Sequence, residues 1–371
     1  MRVRLIIIGI HGLANKCVGL LCAFALTAVA TPVALPSQHI DPDSVTASGI
    51  SSGGYMAVQM HVAYSALVKG VGVIAAGPYG CARTGLGLAA NLQRALGRCM
   101  EGAYSVWQRT ACFWGWAACP GANGVDAAAS VAATRQRAAS GEIDPVVNLR
   151  THRVMLLSGT KDATVDTSVV DALERYYLEF VPAAHIRYKK LDGADHTFPT
   201  DSYREGTFCS FATTPYISDC SFDAAGEILK HLYGGLQSRN DGAPKGDLIE
   251  FDQMQFISAP QSKGMAQSAW VYLPKACATT RCRLHVAFHG CKQSASLVKR
   301  KFVEHAGYNR WADHNAIIVL YPQVIESPPT GINPKGCWDW WGFTDAENWD
   351  TQRGVQLQAI KAMVDRLAGP R

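Results

Sequence analysis

Charged side chains are scarce in this chain, since only 18% of its 371 residues are Asp, Glu, Lys or Arg and the net charge is +5. No run of lysines or arginines occurs, and no basic stripe has aromatic residues interleaved. Nucleic acid is therefore not expected as a partner. The low charged fraction is also a first indication of export from the cytoplasm.

Paired C-x-x-C motifs are absent, so a zinc site is not expected, and nothing indicates another metal or an organic cofactor. Of the 12 cysteines, Cys17 and Cys22 lie near the N-terminus and ten follow, an even number typical of a disulfide set. Pairing within residues 81–119 stays open. The spacings suggest these pairs: Cys81–Cys99, Cys112–Cys119, Cys209–Cys220, Cys277–Cys282 and Cys291–Cys337.

The N-terminus has the features of a signal peptide. Arg2 and Arg4 are followed, after Lys16, by an apolar run that ends in Ala28-Val29-Ala30. A membrane anchor is the alternative, but this run is shorter than the roughly 20 residues of a membrane span. We therefore predict that residues 1–30 are removed near Ala30, that residues 31–371 form one catalytic domain, and that the protein is secreted without stable membrane association.

A candidate nucleophile lies between a short β-prone segment, residues 44–48, and a helical segment, residues 55–66. The connection reads Gly49-Ile50-Ser51-Ser52-Gly53. A G-x-S-x-G pentapeptide alone is a weak signal, but a strand, a tight glycine turn and a helix in this order are the context that a nucleophile elbow requires. We therefore predict that Ser51 is a nucleophile.

An acid and a base follow at the ends of two further predicted strands. Asp162 comes after the apolar strand at residues 153–159, and His196 after the strand at residues 185–191. Asp166 and Asp195 are alternatives to Asp162, but Asp166 lies further from its strand and Asp195 is adjacent to His196. The order Ser51, Asp162, His196 is that of α/β-hydrolases.

The oxyanion loop expected before the nucleophile is found far after it. A buried strand at residues 284–288 ends in His289-Gly290-Cys291. Further predicted elements also follow the helix at residues 223–236 that would ordinarily end the fold: edge strands at 250–257 and 268–273, a core strand at 316–321 and a helix at 355–367. The sequence thus predicts a circularly permuted α/β-hydrolase, a single domain with a mostly parallel sheet, helices on both faces, and a linker near residues 235–247.

In this permuted order the chain resembles the single-domain poly(3-hydroxybutyrate) depolymerases. The residues that carry the resemblance are Gly49 to Met56, the Asp162 loop, Asp195-His196, His289-Gly290-Cys291 and Asn333 to Trp338. The resemblance implies Ser51, Asp162 and His196 as a catalytic triad and the backbone N–H groups of Ser52 and Cys291 as the oxyanion hole. It also implies Trp338 and Trp349 on the substrate cleft.

The substrate implied is a polyester or its oligomers, bound by a monomer. An esterase for soluble short-chain or aryl esters is an alternative, and a binding protein without catalysis is a weaker one. The tryptophans at 338, 340, 341 and 349 could line a cleft or pack in the core. Trp107, Trp114 and Trp116 could belong to a disulfide-braced surface patch or lid.

Overall fold

The computed structural model describes residues 33–100, 124–203, 208–258, 263–328 and 331–369, which belong to one compact unit. The predicted signal peptide, the Cys112–Cys119 pair and Trp107, Trp114 and Trp116 lie outside the described residues. Within the described part of the chain, no helix combines the length and the hydrophobicity needed to cross a membrane.

Eight of the described strands form one sheet and two short strands form a second. In chain order the strands are β1 (Ile40–Ile50), β2 (Gly70–Ile74), β3 (Arg153–Gly159), β4 (Ile186–Leu191), β5 (Phe198–Thr200), β6 (Ile217–Asp219), β7 (Asp247–Asp252), β8 (Ser268–Leu273), β9 (Cys282–Phe288) and β10 (Ile317–Tyr321).

The main sheet has the spatial order β4-β3-β2-β1-β9-β10-β8-β7. All neighbouring strands are parallel except at the β10–β8 and β8–β7 pairs. The first strand of the chain is therefore central, with β2 to β4 on one side and the C-terminal strands on the other. This is the mostly parallel sheet, with two antiparallel pairings at one edge, that the permuted fold predicts.

Helices cover both faces of this sheet. The helices are α1 (Ser52–Ala63), α2 (Leu88–Leu96), α3 (Ala127–Ala139), α4 (Thr167–Leu178), α5 (Ala224–Tyr233), α6 (Ala295–Val298), α7 (Lys301–His305), α8 (Tyr308–Asn315) and α9 (Val355–Ala368). Side chains alternate along a strand, so Val154 and Leu156 of β3 face one core while Met155 and Leu157 face the other. Helices α1, α4 and α9 pack into the first core, and α5, α7 and α8 into the second.

The end of the last helix lies beside the segment that leads into β1. The Gln38 N–H donates to the Leu367 carbonyl at 2.9 Å, and Arg366 Nε donates to the Leu35 carbonyl at 3.0 Å. A permuted order requires the C-terminal helix to end beside the segment that leads into the nucleophile strand, and this adjacency holds up to Gly369, the last described residue. Between α5 and β7, the connection is mostly exposed and Asn240 ties it to Asp313 at 2.7 Å.

Some local boundaries differ from the sequence prediction. Strand β7 spans Asp247–Asp252 and thus begins and ends earlier than the predicted 250–257. It ends at Asp252 because the Asp252 carboxylate accepts the Met254 N–H at 2.8 Å and starts a 3-10 turn over Gln253–Gln255. Strand β2 and the small β5–β6 sheet were not predicted. None of these differences moves a candidate site residue.

Candidate active site

Ser51 occupies the sharp turn between the central strand β1 and helix α1. Its φ of 56° lies in the left-handed region, which is unfavourable for a residue with a side chain. The Ser51 N–H donates to the Ile74 carbonyl of β2 at 2.9 Å, which holds the turn against the sheet. This geometry is that of a nucleophile elbow.

The glycines that flank Ser51 are required by close backbone approach. A Cβ atom at Gly49 would lie 2.3 Å from the Gly53 carbonyl oxygen, and one at Gly53 would lie 2.3 Å from the His289 carbonyl oxygen. Both distances are far below van der Waals contact. The glycines therefore let helix α1 start directly against β1 and against the loop after β9.

His196 and Asp162 form a buried pair. The His196 Nδ1 lies 2.8 Å from Asp162 Oδ2, and the other carboxylate oxygen accepts the backbone N–H groups of Thr164 and Val165, both at 2.8 Å. Burial opposes the charged imidazolium, but the charge and hydrogen bond of Asp162 outweigh it and raise the pKa of His196 above its usual value. The ring is thus fixed with Nε2 left for proton transfer.

The two alternative carboxylates have other partners. Asp166 caps helix α4 by accepting the Ser168 N–H at 2.9 Å. Asp195 accepts the His196 N–H at 2.7 Å and the Ala212 N–H at 2.8 Å. Among the three, only Asp162 bonds the imidazole of His196.

The two backbone N–H groups predicted as oxyanion donors are unpaired as far as the described residues show. Ser52 is the first residue of α1, where the N–H has no partner within the helix. Cys291 lies in the loop after β9. Neither N–H has a hydrogen-bond partner within the described part of the chain. A Cβ atom at Gly290 would lie 3.3 Å from the Ser51 Cβ, so this loop does meet the elbow.

Hydrogen bonds from Trp338, within the loop itself, and to residues 215–216 hold the loop of residues 289–293 in place. The Trp338 Nε1–H donates to the His289 carbonyl at 3.0 Å. Gln293 accepts the Gly290 N–H at 2.7 Å and donates to the carbonyls of Pro215 and Tyr216, both at 3.0 Å. These bonds hold the residues on both sides of Cys291, while its own N–H is unpaired in the described part of the chain.

His289 is a structural residue in this loop. Its Nε2 accepts the Val324 N–H at 3.4 Å and its Nδ1 lies 2.8 Å from the Gly290 carbonyl. This arrangement places the proton on Nδ1. Burial lowers the pKa of His289 to about 4, so the ring is neutral at neutral pH.

A cavity of about 510 Å³ opens beside Ser51 and His196. Its walls also include Met100, Val165, Tyr216, Cys291, Trp340 and Trp341. Trp340 stacks on Tyr55 with ring centroids 4.1 Å apart, and Trp341 meets Trp340 edge-on at 5.8 Å. An aromatic and aliphatic cavity next to two unpaired backbone donors is suited to a weakly polar ester.

The structure places the two tryptophans expected on the cleft elsewhere. Trp338 is fully buried, because its indole N–H is committed to the His289 carbonyl, and Trp349 is buried beneath the guanidinium of Arg83, 5.4 Å away. Trp340 and Trp341 line the cavity in their place. The dense aromatic stretch identified the segment, but not which members face the cavity.

Asp339, which was not predicted as a functional residue, positions the aromatic wall formed by Trp340 and Trp341. Its buried carboxylate accepts the backbone N–H groups of Gly342, Phe343 and Thr344 at 2.7, 3.0 and 2.9 Å, and the Thr344 hydroxyl at 2.5 Å. Burial nevertheless raises the pKa of Asp339 above its usual value. The signal in the sequence that could have indicated this role is a single carboxylate, Asp339, between Trp338 and Trp340.

Four predicted disulfides are present among the described residues. Cys291–Cys337 joins the loop after β9 to the tryptophan segment, and Cys209–Cys220 braces the loop that holds Asp195. Cys81–Cys99 and Cys277–Cys282 complete the set. The first two therefore stabilise segments next to the candidate triad.

Two curated proteins are similar over most of this chain. The poly(3-hydroxybutyrate) depolymerase of Delftia acidovorans is 45% identical over 341 residues, which cover 91% of this chain and 62% of that protein. The polyhydroxybutyrate depolymerase of Talaromyces funiculosus is 37% identical over 346 residues, which cover 90% of this chain and 92% of that protein. A scan against protein-family models gives no match.

Solved structures give the same assignment. The chain is similar to the crystal structure of the PHB depolymerase from Penicillium funiculosum, with a TM-score of 0.77, 36% identity and coverage of 91% of this chain and 99% of that one. The same values hold for a serine-to-alanine PHB depolymerase variant complexed with an R3HB trimer. Sequence relatives, solved structures and the permuted sheet agree that this chain belongs to the polyhydroxybutyrate depolymerase family.

Proposed function

We propose that this protein hydrolyses the ester bonds of poly(3-hydroxybutyrate) or its oligomers, with Ser51, His196 and Asp162 as the catalytic triad. The observation that carries the proposal is that Ser51, on its strained turn, and His196, hydrogen-bonded to Asp162, line the same cavity. The related depolymerase complexed with an R3HB trimer supports this choice of substrate.

In the first half of the reaction, His196 Nε2 takes the proton of Ser51 while Ser51 Oγ attacks the ester carbonyl carbon. The N–H groups of Ser52 and Cys291 stabilise the oxyanion, at about 3 kcal/mol each. The carbon–oxygen bond of the ester then breaks, and His196 returns the proton to the leaving alcohol. In the second half, water attacks the acyl carbonyl carbon while His196 takes its proton. The bond to Ser51 Oγ then breaks, His196 returns the proton to Ser51, and the acid is released.

Exposed apolar side chains around the cavity favour a polymer surface as the natural substrate. Leu96 and Ile332 line the cavity and are 51% and 42% exposed. Phe208 and Phe211 are 80% and 65% exposed. They flank Cys209, whose carbonyl accepts the N–H of Asp195, the residue before His196. Large exposed apolar groups of this kind suit adsorption to a water-insoluble polyester.

Secretion is part of the same proposal. Four disulfides among the described residues fit an oxidising compartment. Cleavage of residues 1–30 near Ala30 would release residues 31–371 as a monomeric catalytic domain. N-terminal sequencing of the protein from culture medium or periplasm tests this part.

The triad is tested by two adjacent serine variants. Ser51→Ala should abolish clearing of a polymer granule suspension and hydrolysis of a short nitrophenyl ester, with an unchanged circular dichroism spectrum. Ser52→Ala is the matched control, because the Ser52 hydroxyl is buried without a hydrogen-bond partner in the described structure while its N–H remains. Activity in Ser51→Ala, or its loss in Ser52→Ala alone, would contradict the assignment.

The same two assays, with hydroxybutyrate oligomers as a third substrate, also separate the alternative functions. A wild-type protein that cleaves the nitrophenyl ester but neither granules nor hydroxybutyrate oligomers is an esterase for other soluble esters. A protein that binds granules and cleaves nothing is a binding protein on the same fold.

A further inference from the structure

Two lysines lie at the mouth of the cavity. Lys292 and Lys335 are both exposed and both belong to its wall. No carboxylate lines the cavity within the described residues, and the other ionisable groups on its wall are His196 and the hydroxyls of Tyr55 and Tyr216. The charged side chains of this wall are therefore cationic, and the Glu326 carboxylate beside Gly336, outside the wall, is hydrogen-bonded to Ser294 and Ser296.

The backbone holds these lysines side by side. The Lys292 N–H donates to the Lys335 carbonyl at 2.7 Å. The disulfide Cys291–Cys337 links the same two segments, one residue before Lys292 and two residues after Lys335. The spacing of the two side chains is thus fixed at their Cα atoms, while their ammonium groups can move.

Neither ammonium has a carboxylate partner in the described part of the chain. Lys292 Nζ donates to the Tyr216 hydroxyl at 3.4 Å, a long and weak bond, and no ion pair involves Lys335. Other surface lysines do have acidic neighbours, such as Lys275 with Asp247 at 2.6 Å. A pair of cations without counter-charges beside an aromatic cavity is suited to an anionic end of a mostly apolar ligand.

We propose that Lys292 and Lys335 bind the carboxylate of a hydroxyalkanoate, either the terminal carboxylate of an oligoester substrate or that of the acid product. The inference rests on the proposed function and specifies how that site recognises its substrate. The interior of a polyester is uncharged and gains nothing from the two cations. A short oligomer or a chain end carries one carboxylate, ionised at neutral pH, and binds more tightly.

The test compares the 3-hydroxybutyrate trimer as free acid with its methyl ester, which has no negative charge. At low ionic strength the wild-type KM should be about fivefold lower for the acid, as expected for one or two solvent-exposed ion pairs. Added salt should reduce this ratio. In Lys292→Met/Lys335→Met the ratio should fall towards one, and Lys335→Glu should reverse it.

Lys189→Met is the control, because Lys189 is an exposed residue of β4, at the opposite edge of the sheet from β7, and its loss changes the net charge equally. It should keep the wild-type ratio. Binding of the acid product is tested separately. If the lysines bind this product, inhibition by free 3-hydroxybutyrate should weaken in the double variant, even where the wild-type KM values for acid and methyl ester differ little.

Two results overturn the inference, and they differ. Equal KM values for acid and ester in the wild type, together with product inhibition unchanged in the double variant, exclude carboxylate binding and leave the proposed function intact. Failure of the wild type to cleave the trimers and polymer granules alike excludes the proposed function, and the inference falls with it.

Discussion

Gln38 and Leu367, near opposite ends of the described chain, share a backbone hydrogen bond of 2.9 Å. The contact places the end of α9 beside the entry to the central strand β1. In an unpermuted chain these two segments would be joined covalently. The present arrangement instead connects α5 to β7 through residues 234–246.

We expect the permutation to be reversible by design. A chain that begins at Pro244, joins residue 369 to Val33 through a flexible Gly-Ser linker and ends at Ala243 should fold and keep activity within about threefold, because the opened site is exposed and the buried Leu35 is retained. Pro244 has no N–H to lose. Nitrophenyl ester turnover and thermal unfolding measure the result. Opening between Met56 and Ala57, in buried α1, should prevent folding, and an active product from that control would contradict the argument.

Asp162→Asn should reduce kcat by about 10⁴-fold, as expected when the residue that orients a catalytic imidazole loses its charge. In the proposed mechanism the neutral imidazole is the base, so wild-type activity should fall as the pH drops through the pKa of His196, which Asp162 raises above 6.5. Without the carboxylate the acid limb of the pH–rate profile should move to lower pH. Asp166→Asn, which keeps its capping oxygen, should leave both rate and profile near wild type. An unmoved acid limb in Asp162→Asn would show that another group titrates.

Removal of the Cys291–Cys337 disulfide should lower activity at temperatures where the domain is still folded, because this bridge positions the loop that carries the Cys291 N–H. Its 46-residue separation corresponds to a loss of roughly 3–4 kcal/mol of stability in the loop-entropy model. The control is Cys277→Ser/Cys282→Ser, which removes a bridge of separation 5 at the start of β9. Activity and circular dichroism are followed together during heating. Parallel loss of both signals in the Cys291→Ala/Cys337→Ala variant would assign the bridge to stability alone.

Asp339→Asn should raise KM for oligomer substrates by about tenfold or more while changing kcat less, since it weakens the bonds that hold residues 342–344 and with them the Trp340–Trp341 wall. Asp345→Asn is the comparison, because Asp345 caps the next turn from a half-buried position. Steady-state kinetics on the trimer and near-UV circular dichroism of the tryptophans are the measurements. A fall in kcat with constant KM would instead place the effect on the oxyanion loop.

The sequence was sufficient to predict the elements whose residues have one physical explanation. Glycines at 49 and 53 around a serine, between a predicted strand and a predicted helix, indicate a nucleophile elbow. A His-Gly loop that follows the helix at which the fold would ordinarily end indicates a permuted order. The tryptophan segment was different, because four indoles lie within 12 residues and propensity does not distinguish them. Two groups decide their orientation: the distant His289 carbonyl, which accepts the Trp338 indole N–H, and the neighbouring Asp339 carboxylate, which orders the residues after Trp341.

The central position of β1 has a consequence for folding. Its neighbour β9 pairs with it through residues such as Thr46 and His285. Their side chains share a buried 2.7 Å hydrogen bond at a sequence separation of 239. A ribosome must synthesise most of the chain before this pairing can form, and until then one side of β1 has no partner strand. Contacts so distant in sequence slow folding because the loop between them must first be closed. The rate at which enzyme becomes active after synthesis should therefore be governed by the synthesis of β9. A reversed permutation, which places β9 before β1 with only about 90 residues between them, should fold faster.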